Sequence, residues 1–148
     1  MLKTVSVSAI KQGTVIDHIQ PGVALRIAQI LRLAADEKRV TIGLNLKSPT
    51  RGLKDLIKIE NFTLTEAQAS HIALLSPNAT ICLIENYRVV RKYTPTLPVS
   101  VSSLLSCPSP RCVTHQERIT TLFFIDASTH RITLRCKYCE ASFTREEI

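Results

Sequence analysis

The chain has 148 residues, 45% of them hydrophobic and only 5% aromatic, with no tryptophan and a formal charge of +7. That length allows one ordinary domain, or a small domain plus a very small one, around a mainly aliphatic core. No apolar run approaches the ~18 residues of a membrane span, and Met1-Leu2-Lys3-Thr4-Val5 lacks the apolar core of a signal peptide. No membrane partner is expected, and a cytoplasmic location is. The charge invites an anionic partner. The basic residues are scattered, however, and form no run of five, so a solvated basic surface accounts for them equally well.

Taken in order, residues 3–10 alternate apolar and polar and read as a half-buried strand. Gly13 breaks it, and an apolar stretch over 14–19 follows, carrying Asp17 and His18. Pro21-Gly22 opens a helix, whose apolar positions Val23, Ile27, Ile30, Leu31 and Ala34 recur through about residue 35. Val40, Ile42, Leu44 and Leu46 alternate as a second strand. Residues 54–61 form a third, with Ile57 and Ile59 on one face and Lys54, Leu56, Lys58 and Glu60 on the other. Thr65-Glu66-Ala67-Gln68 has the form of a capping box. The helix behind it turns Ala69, Ile72, Ala73 and Leu75 inward and stops at Ser76-Pro77. A fourth strand covers 80–85, and an extended piece, 87–93, projects Arg88, Val90 and Lys92 together.

This order, β-α-β-β-α-β plus one strand, predicts an α+β, ferredoxin-like antiparallel sheet with both helices on one face. Residues 1–94 form that domain. Pro95 and Pro98 stiffen a linker over 95–105, of which 99–105 is compatible with a short helix. Residues 106–148 form a second, all-β unit, with strands over 119–125 and 131–136.

Four of the five cysteines lie in that second unit, as Cys107-x₄-Cys112 and, after 23 residues, Cys136-x₂-Cys139. Two pairs on two turns suit a tetrahedral Cys₄ zinc site, one structural Zn²⁺ per chain, in a zinc-ribbon-like fold. Two disulfides or buried free thiols are the alternative. His115 follows Cys112 by three residues, but four thiolates already complete the shell. They also leave the metal no open position for catalysis. About forty residues could hardly fold without the metal.

No catalytic set assembles, and with four glycines there is no Gly-rich phosphate loop. Asp17-His18 is either a buried pair that needs partners or an exposed turn. Lys54 and Lys58, with Lys92 on the last strand, converge on an anion such as a triphosphate or simply face solvent. Cys82, the odd cysteine, reads as a small buried hydrophobe.

Four segments together carry a resemblance: Gly13-Thr-Val-Ile-Asp-His-Ile19, Ile42-Gly-Leu-Asn-Leu46, Lys54-Asp-Leu-Ile-Lys-Ile-Glu-Asn61 and Cys136-Lys-Tyr-Cys-Glu140. In order and in cysteine spacing they resemble the regulatory chain of aspartate carbamoyltransferase, over essentially the whole chain. The resemblance implies a non-catalytic subunit with a nucleotide-binding N-terminal domain and a C-terminal zinc domain that docks on the catalytic chain. It implies pairing of regulatory chains through their N-terminal domains, in an assembly of two catalytic trimers and three regulatory dimers. It implies CTP, UTP and ATP as effectors, in the control of pyrimidine biosynthesis. By position, Asp17, His18, Lys54, Lys58 and Lys92 fall in the nucleotide pocket. Backbone near Ala9, Ile10 and Tyr87 would help read the base, and Val15, Leu56, Glu60, Ile84 and Val89 would line or support the pocket. Cys107, Cys112, Cys136 and Cys139 match the zinc ligands. Cys82 departs from the polar amide expected near the pocket, and Ser109, Arg111 and Ala141 depart at positions facing the catalytic chain. The competing reading is a zinc-ribbon nucleic-acid-binding module. It lacks the aromatics interleaved with basic residues that base stacking needs, so no nucleic-acid partner is expected.

Overall fold

In the computed structural model, residues 9–50, 52–128 and 131–148 are described. The expected strand over 3–10 falls largely outside them; Ala9 and Ile10 belong to no strand. The chain divides into two compact units, Met1–Thr96 and Leu97–Ile148.

Among the described residues, the first unit is a five-stranded antiparallel sheet with two helices. Its elements are β1 (Gly13–Ile19), α1 (Ala24–Ile30), β2 (Val40–Ser48), β3 (Gly52–Glu60), α2 (Glu66–Leu75), β4 (Thr80–Glu85) and β5 (Arg88–Tyr93). The strand order is β2-β3-β1-β4-β5, the ferredoxin-like order with one strand added beside β4. Ile16, Ile57, Ile59 and Ile81 share one sheet face by register. They pack with Ala24, Ile27 and Leu31 from α1 and its end, and with Ala69, Ile72 and Leu75 of α2, in a single core. Both helices therefore cover the same face, and the opposite face carries the polar residues of interest.

Gly13 opens β1 at φ 142. A Cβ at this position would fall on the Ile59 carbonyl oxygen, so only glycine permits this approach of β1 to β3. Ahead of α2, the expected capping box is present. The Thr65 hydroxyl accepts the Gln68 N–H at 3.1 Å, and the Gln68 side chain accepts the Thr65 N–H at 2.9 Å. The helix-period pattern after Pro21 overruns the true end of α1. Arg32 takes φ 52, its N–H reaches Gln29 O, and the Leu33 N–H reaches Ala28 O. That is a Schellman stop built without glycine, so the sequence carried no stop signal.

Three strands lose their simple alternation to β-bulges. Register shifts fall between Ile16 and Ile19 of β1 and between Gly43 and Leu46 of β2. A third lies where Leu83 and Ile84 of β4 meet β5. Each inserts one extra residue and reverses the facing of the residues beyond it. Leu46 thus leaves the helix-side face shared by Val40 and Ile42. On β5, Val89 joins the face of Lys92, and Arg88 turns to the other. The expected grouping of Arg88 with Val90 and Lys92 is therefore wrong.

The second unit is a four-stranded antiparallel sheet in the order β6-β7-β8-β9. Its strands are β6 (Ser100–Ser102), β7 (Leu122–Asp126), β8 (Thr133–Cys136) and β9 (Ser142–Thr144). One helical turn, α3 (Val113–Gln116), follows Cys112. Residues 100–102 are strand rather than helix, because β6 finds a ladder partner in β7, with Val101 opposite Phe123. Val101, Leu105, Phe123 and Leu134 are buried, and the cysteines fill the rest of this small core.

Candidate functional site

On the sheet face away from the helices, one row runs across five strands. Thr41 lies opposite Lys58, Lys58 opposite Val15, Val15 opposite Cys82, and Cys82 opposite Lys92. Lys58 and Lys92 stand three strand spacings apart, roughly 14 Å along the row. The first unit holds thirteen of the nineteen basic residues and seven of the twelve acidic ones, so nearly all the net positive charge resides there.

Asp17 lies one step along from Val15, inside the β1 bulge. Lys54 Nζ reaches its Oδ1 at 2.9 Å, with both side chains about one-fifth exposed. The His18 N–H donates to the same oxygen at 2.7 Å. Burial pushes the Asp17 carboxyl up, but the Lys54 and His18 hydrogen bonds and their charges outweigh it and hold it below the usual range. Burial draws the Lys58 ammonium down, against the pull of the Asp17 carboxylate. Burial also pushes the Cys82 thiol up; the Lys92 ammonium opposes this and the Asp17 carboxylate adds to it. Asp17, Lys54, Lys58, Cys82 and Lys92 thus form one electrostatic neighbourhood.

His18 adopts φ 55, and its Nδ1 shares a hydrogen bond of 2.7 Å with Thr80 Oγ1. Asp17-His18 is therefore a partnered pair on a bulge, not an exposed turn. Tyr87 is 66% exposed, and its backbone N–H bonds to Lys11 O at 3.0 Å. That contact sets the β4–β5 turn beside the segment following Ala9 and Ile10. Ala9 is exposed and Ile10 buried. Val89 faces the same way as Ile84, its partner across the ladder. Glu60 meets Arg39 at 3.5 Å.

In the second unit, the Sγ atoms of Cys107, Cys112, Cys136 and Cys139 all lie within 4.8 Å of one another. Cys107 approaches Cys139 at 3.6 Å and Cys112 approaches Cys136 at 3.8 Å. Four thiolates at about 2.3 Å from a central metal would be about 3.8 Å apart in a tetrahedron. A disulfide would need about 2.05 Å, so the geometry excludes the disulfide alternative. The second turn is closed by Glu140 at φ 63, whose N–H reaches Cys136 O at 3.0 Å. Burial and the neighbouring thiols push Cys107 up to about 12. The Thr114 hydroxyl, donating to Cys112 Sγ at 3.1 Å, brings Cys112 down to about 6. A bound cation would hold all four as thiolates. His115 Nε2 sits 2.7 Å from Cys107 O, so it braces the first turn rather than joining the cluster. Sequence reasoning missed Thr114, although a hydroxyl two residues past a cysteine was visible.

Two family models match, and between them they cover nearly the whole chain. One, described as the aspartate carbamoyltransferase regulatory chain, allosteric domain, spans residues 5–96. The other, the metal binding domain of the same chain, spans residues 99–148.

The chain belongs to the aspartate carbamoyltransferase regulatory chain family.

The regulatory chain of Chromobacterium violaceum is 45% identical over 146 residues, covering 99% of this chain and 96% of the relative. Those of Yersinia pseudotuberculosis and Yersinia pestis are each 47% identical over 137 residues, covering 93% of this chain and 89% of theirs. The chain is thus a non-catalytic regulatory subunit whose partner is the catalytic chain, with an allosteric domain and a metal-binding domain. Among the described residues, no helix is long and apolar enough to cross a membrane.

Proposed function

We propose that the lysine-flanked sheet face binds nucleoside triphosphates, CTP, UTP and ATP, and so controls aspartate carbamoyltransferase in the cytoplasmic synthesis of pyrimidines. The row from Lys58 through Val15 and Cys82 to Lys92, with Lys54 and Asp17 beside it, carries the reading. Two ammonium groups at its ends suit a polyanion, where lysine acts as a compact point charge. Between them lie Val15 and Cys82, whose short side chains carry no formal charge. Lys54, Asp17 and His18 offer polar contacts to sugar or base, and backbone near Ala9, Ile10 and Tyr87, with Val89, closes the far end.

In this reading the metal is zinc, held by Cys107, Cys112, Cys136 and Cys139. It is structural: four thiolates leave no open position, and the ion joins the two cysteine turns. The zinc-bearing residues 106–148 dock on the catalytic chain and are joined to a nucleotide domain over 1–94 through residues 95–105, of which 100–102 form β6 of the zinc-bearing sheet.

Regulatory chains pair through the outer edge of the sheet. That assignment is supported by β2, an edge strand of nine residues, and by the apolar groove of about 480 Å³ beside it. Leu25, Leu33, Val40 and Ile42 line that groove, and a second copy of β2 would extend the sheet and cover it.

Regulation requires that nucleotide bind one quaternary state better than the other, since equal affinity shifts nothing. Lys58→Ala tests the reading. Calorimetry on the full chain and effector titration of the reconstituted enzyme should show weakened nucleotide response with assembly intact. Unchanged CTP and ATP titrations would sink it.

A further inference from the structure

Asp55 is fully buried, and neither the row of lysines nor the metal centre uses it. It follows Lys54 on β3, so its side chain leaves the opposite face of the strand. Its Oδ2 accepts the Gly22 N–H at 2.9 Å and the Ala24 N–H at 3.3 Å, and its Oδ1 accepts the Asn45 N–H at 2.9 Å. Gly22 and Ala24 belong to the entry of α1. Asn45, at φ 56, lies in the β2 bulge. One carboxylate thus accepts from three backbone donors of two segments, and of these the buried Ala24 N–H would otherwise be left without a partner away from water.

The two bulges meet at this point. On one flank of β3, Asp17 and His18 stand opposite the single residue Leu56. On the other, Leu44 and Asn45 stand opposite Asp55. The strand segment 54–56 is the common wall of both. Anchoring Asp55 on the helix side fixes the direction in which Lys54 leaves on the other side.

We propose that Asp55 is a positioning residue for the nucleotide face: by holding the α1 entry and the β2 bulge against β3, its carboxylate fixes the backbone that aims Lys54 at Asp17. This rests on the nucleotide reading, and its test separates the two. The groups that bear on Asp17 are Lys54, Lys58, Cys82 and His18. In zinc-loaded full-length Asp55→Asn, the Asp17 carboxyl is titrated by carbon-13 NMR. Deleting a negative charge by itself can only lower the Asp17 midpoint, whereas losing the Lys54 contact raises it. A merely structural role for Asp55 leaves the midpoint in place or lowers it. The expected result is a midpoint raised toward the ordinary carboxylate value, with CTP affinity in calorimetry weaker by about tenfold.

A midpoint that stays or falls overturns the proposal, whatever happens to stability. If the unaltered chain binds no CTP, the nucleotide reading fails while the Asp17 titration still decides whether Asp55 aims Lys54. Should Asp55→Asn not fold, amide exchange in the unaltered chain replaces it. A ligand that binds only the clamped arrangement suppresses its opening. CTP should therefore slow exchange at Gly22, Ala24 and Asn45, and unchanged rates there, with calorimetry showing CTP bound, overturn the proposal.

Discussion

Stripping the metal should unfold residues 97–148 and leave the first unit folded. The second unit buries few apolar side chains, with Val101, Leu105, Phe123 and Leu134 as its main ones, and the four cysteines occupy the space between. A structural zinc in a small domain contributes about 10–16 kcal/mol at neutral pH. A whole domain is typically stable by only about 5–15 kcal/mol. Loss of the ion therefore removes as much as the unit's entire margin or more. Four unscreened thiols, 3.6 to 3.8 Å apart in pairs, would also be left in its core. The first unit has its own core, centred on Ile16, Ile57, Ile72 and Ile81, and shares none of this dependence. The assay is a proton–nitrogen correlation spectrum before and after chelation under reducing conditions, with metal content measured. Resonances of Phe123 and Leu134 should collapse to unfolded positions, those of Ile16 and Ile57 should stay, and added zinc should restore the first set. Sedimentation with the catalytic chain should show association lost in parallel. A dispersed spectrum for residues 97–148 after verified metal loss would refute the reasoning, and so would retained association.

Three further perturbations test other parts of the molecule. Gly13→Ala forces a Cβ onto the Ile59 carbonyl at a backbone angle that other residues avoid. It should cost about 2–6 kcal/mol, adding strain and overpacking, and a melting temperature within a degree or two of the unaltered chain would contradict the geometry. Asp17 is held below its ordinary value of 3.8. It therefore contributes stability that is present above that value and lost as pH falls through its lower folded pKa. In denaturant titrations the stability gap between the unaltered chain and Asp17→Asn should therefore narrow as pH falls from 6 to 2; parallel curves would remove the ion pair from the account. Thr114→Val deletes the hydroxyl that donates to Cys112 Sγ. Metal affinity, read by competition with a chromogenic chelator, should fall roughly 10–100-fold, with Thr114→Ser restoring it. Equal affinities for all three chains would show that the hydroxyl is idle.

Much of the architecture is local and was legible along the chain. The capping box at Thr65 is a contact between residues three apart, so the pattern and the structure agree. The cysteine spacing states the metal centre because two turns each present two sulfurs, whatever lies between them. The alternation of Lys54, Leu56 and Lys58 survives because β3 itself holds no extra residue. β6 was illegible because Ser100–Ser102 is strand only by virtue of its partner β7. The end of α1 was illegible because Arg32 adopts a conformation that sequence reasoning reserves for glycine or asparagine.

The sequence by itself determined the division into an α+β unit and a cysteine-rich β unit, the succession of strands between residues 40 and 93 and the four clustered thiols. These come from periodicity and spacing, which neighbouring residues fix. Only the tertiary structure decided which side chains share a face. A bulge is a mismatch in count between two paired strands, and no single strand records it. The bulge in β5 took Arg88 away from Lys92, the one in β1 set Asp17 against Lys54, and the one in β2 brought the Asn45 N–H to Asp55. The lining of the lysine face is thus settled by pairings such as Val15 with Lys58, Val15 with Cys82 and Cys82 with Lys92, where the register of the whole sheet overrides the alternation of any one strand.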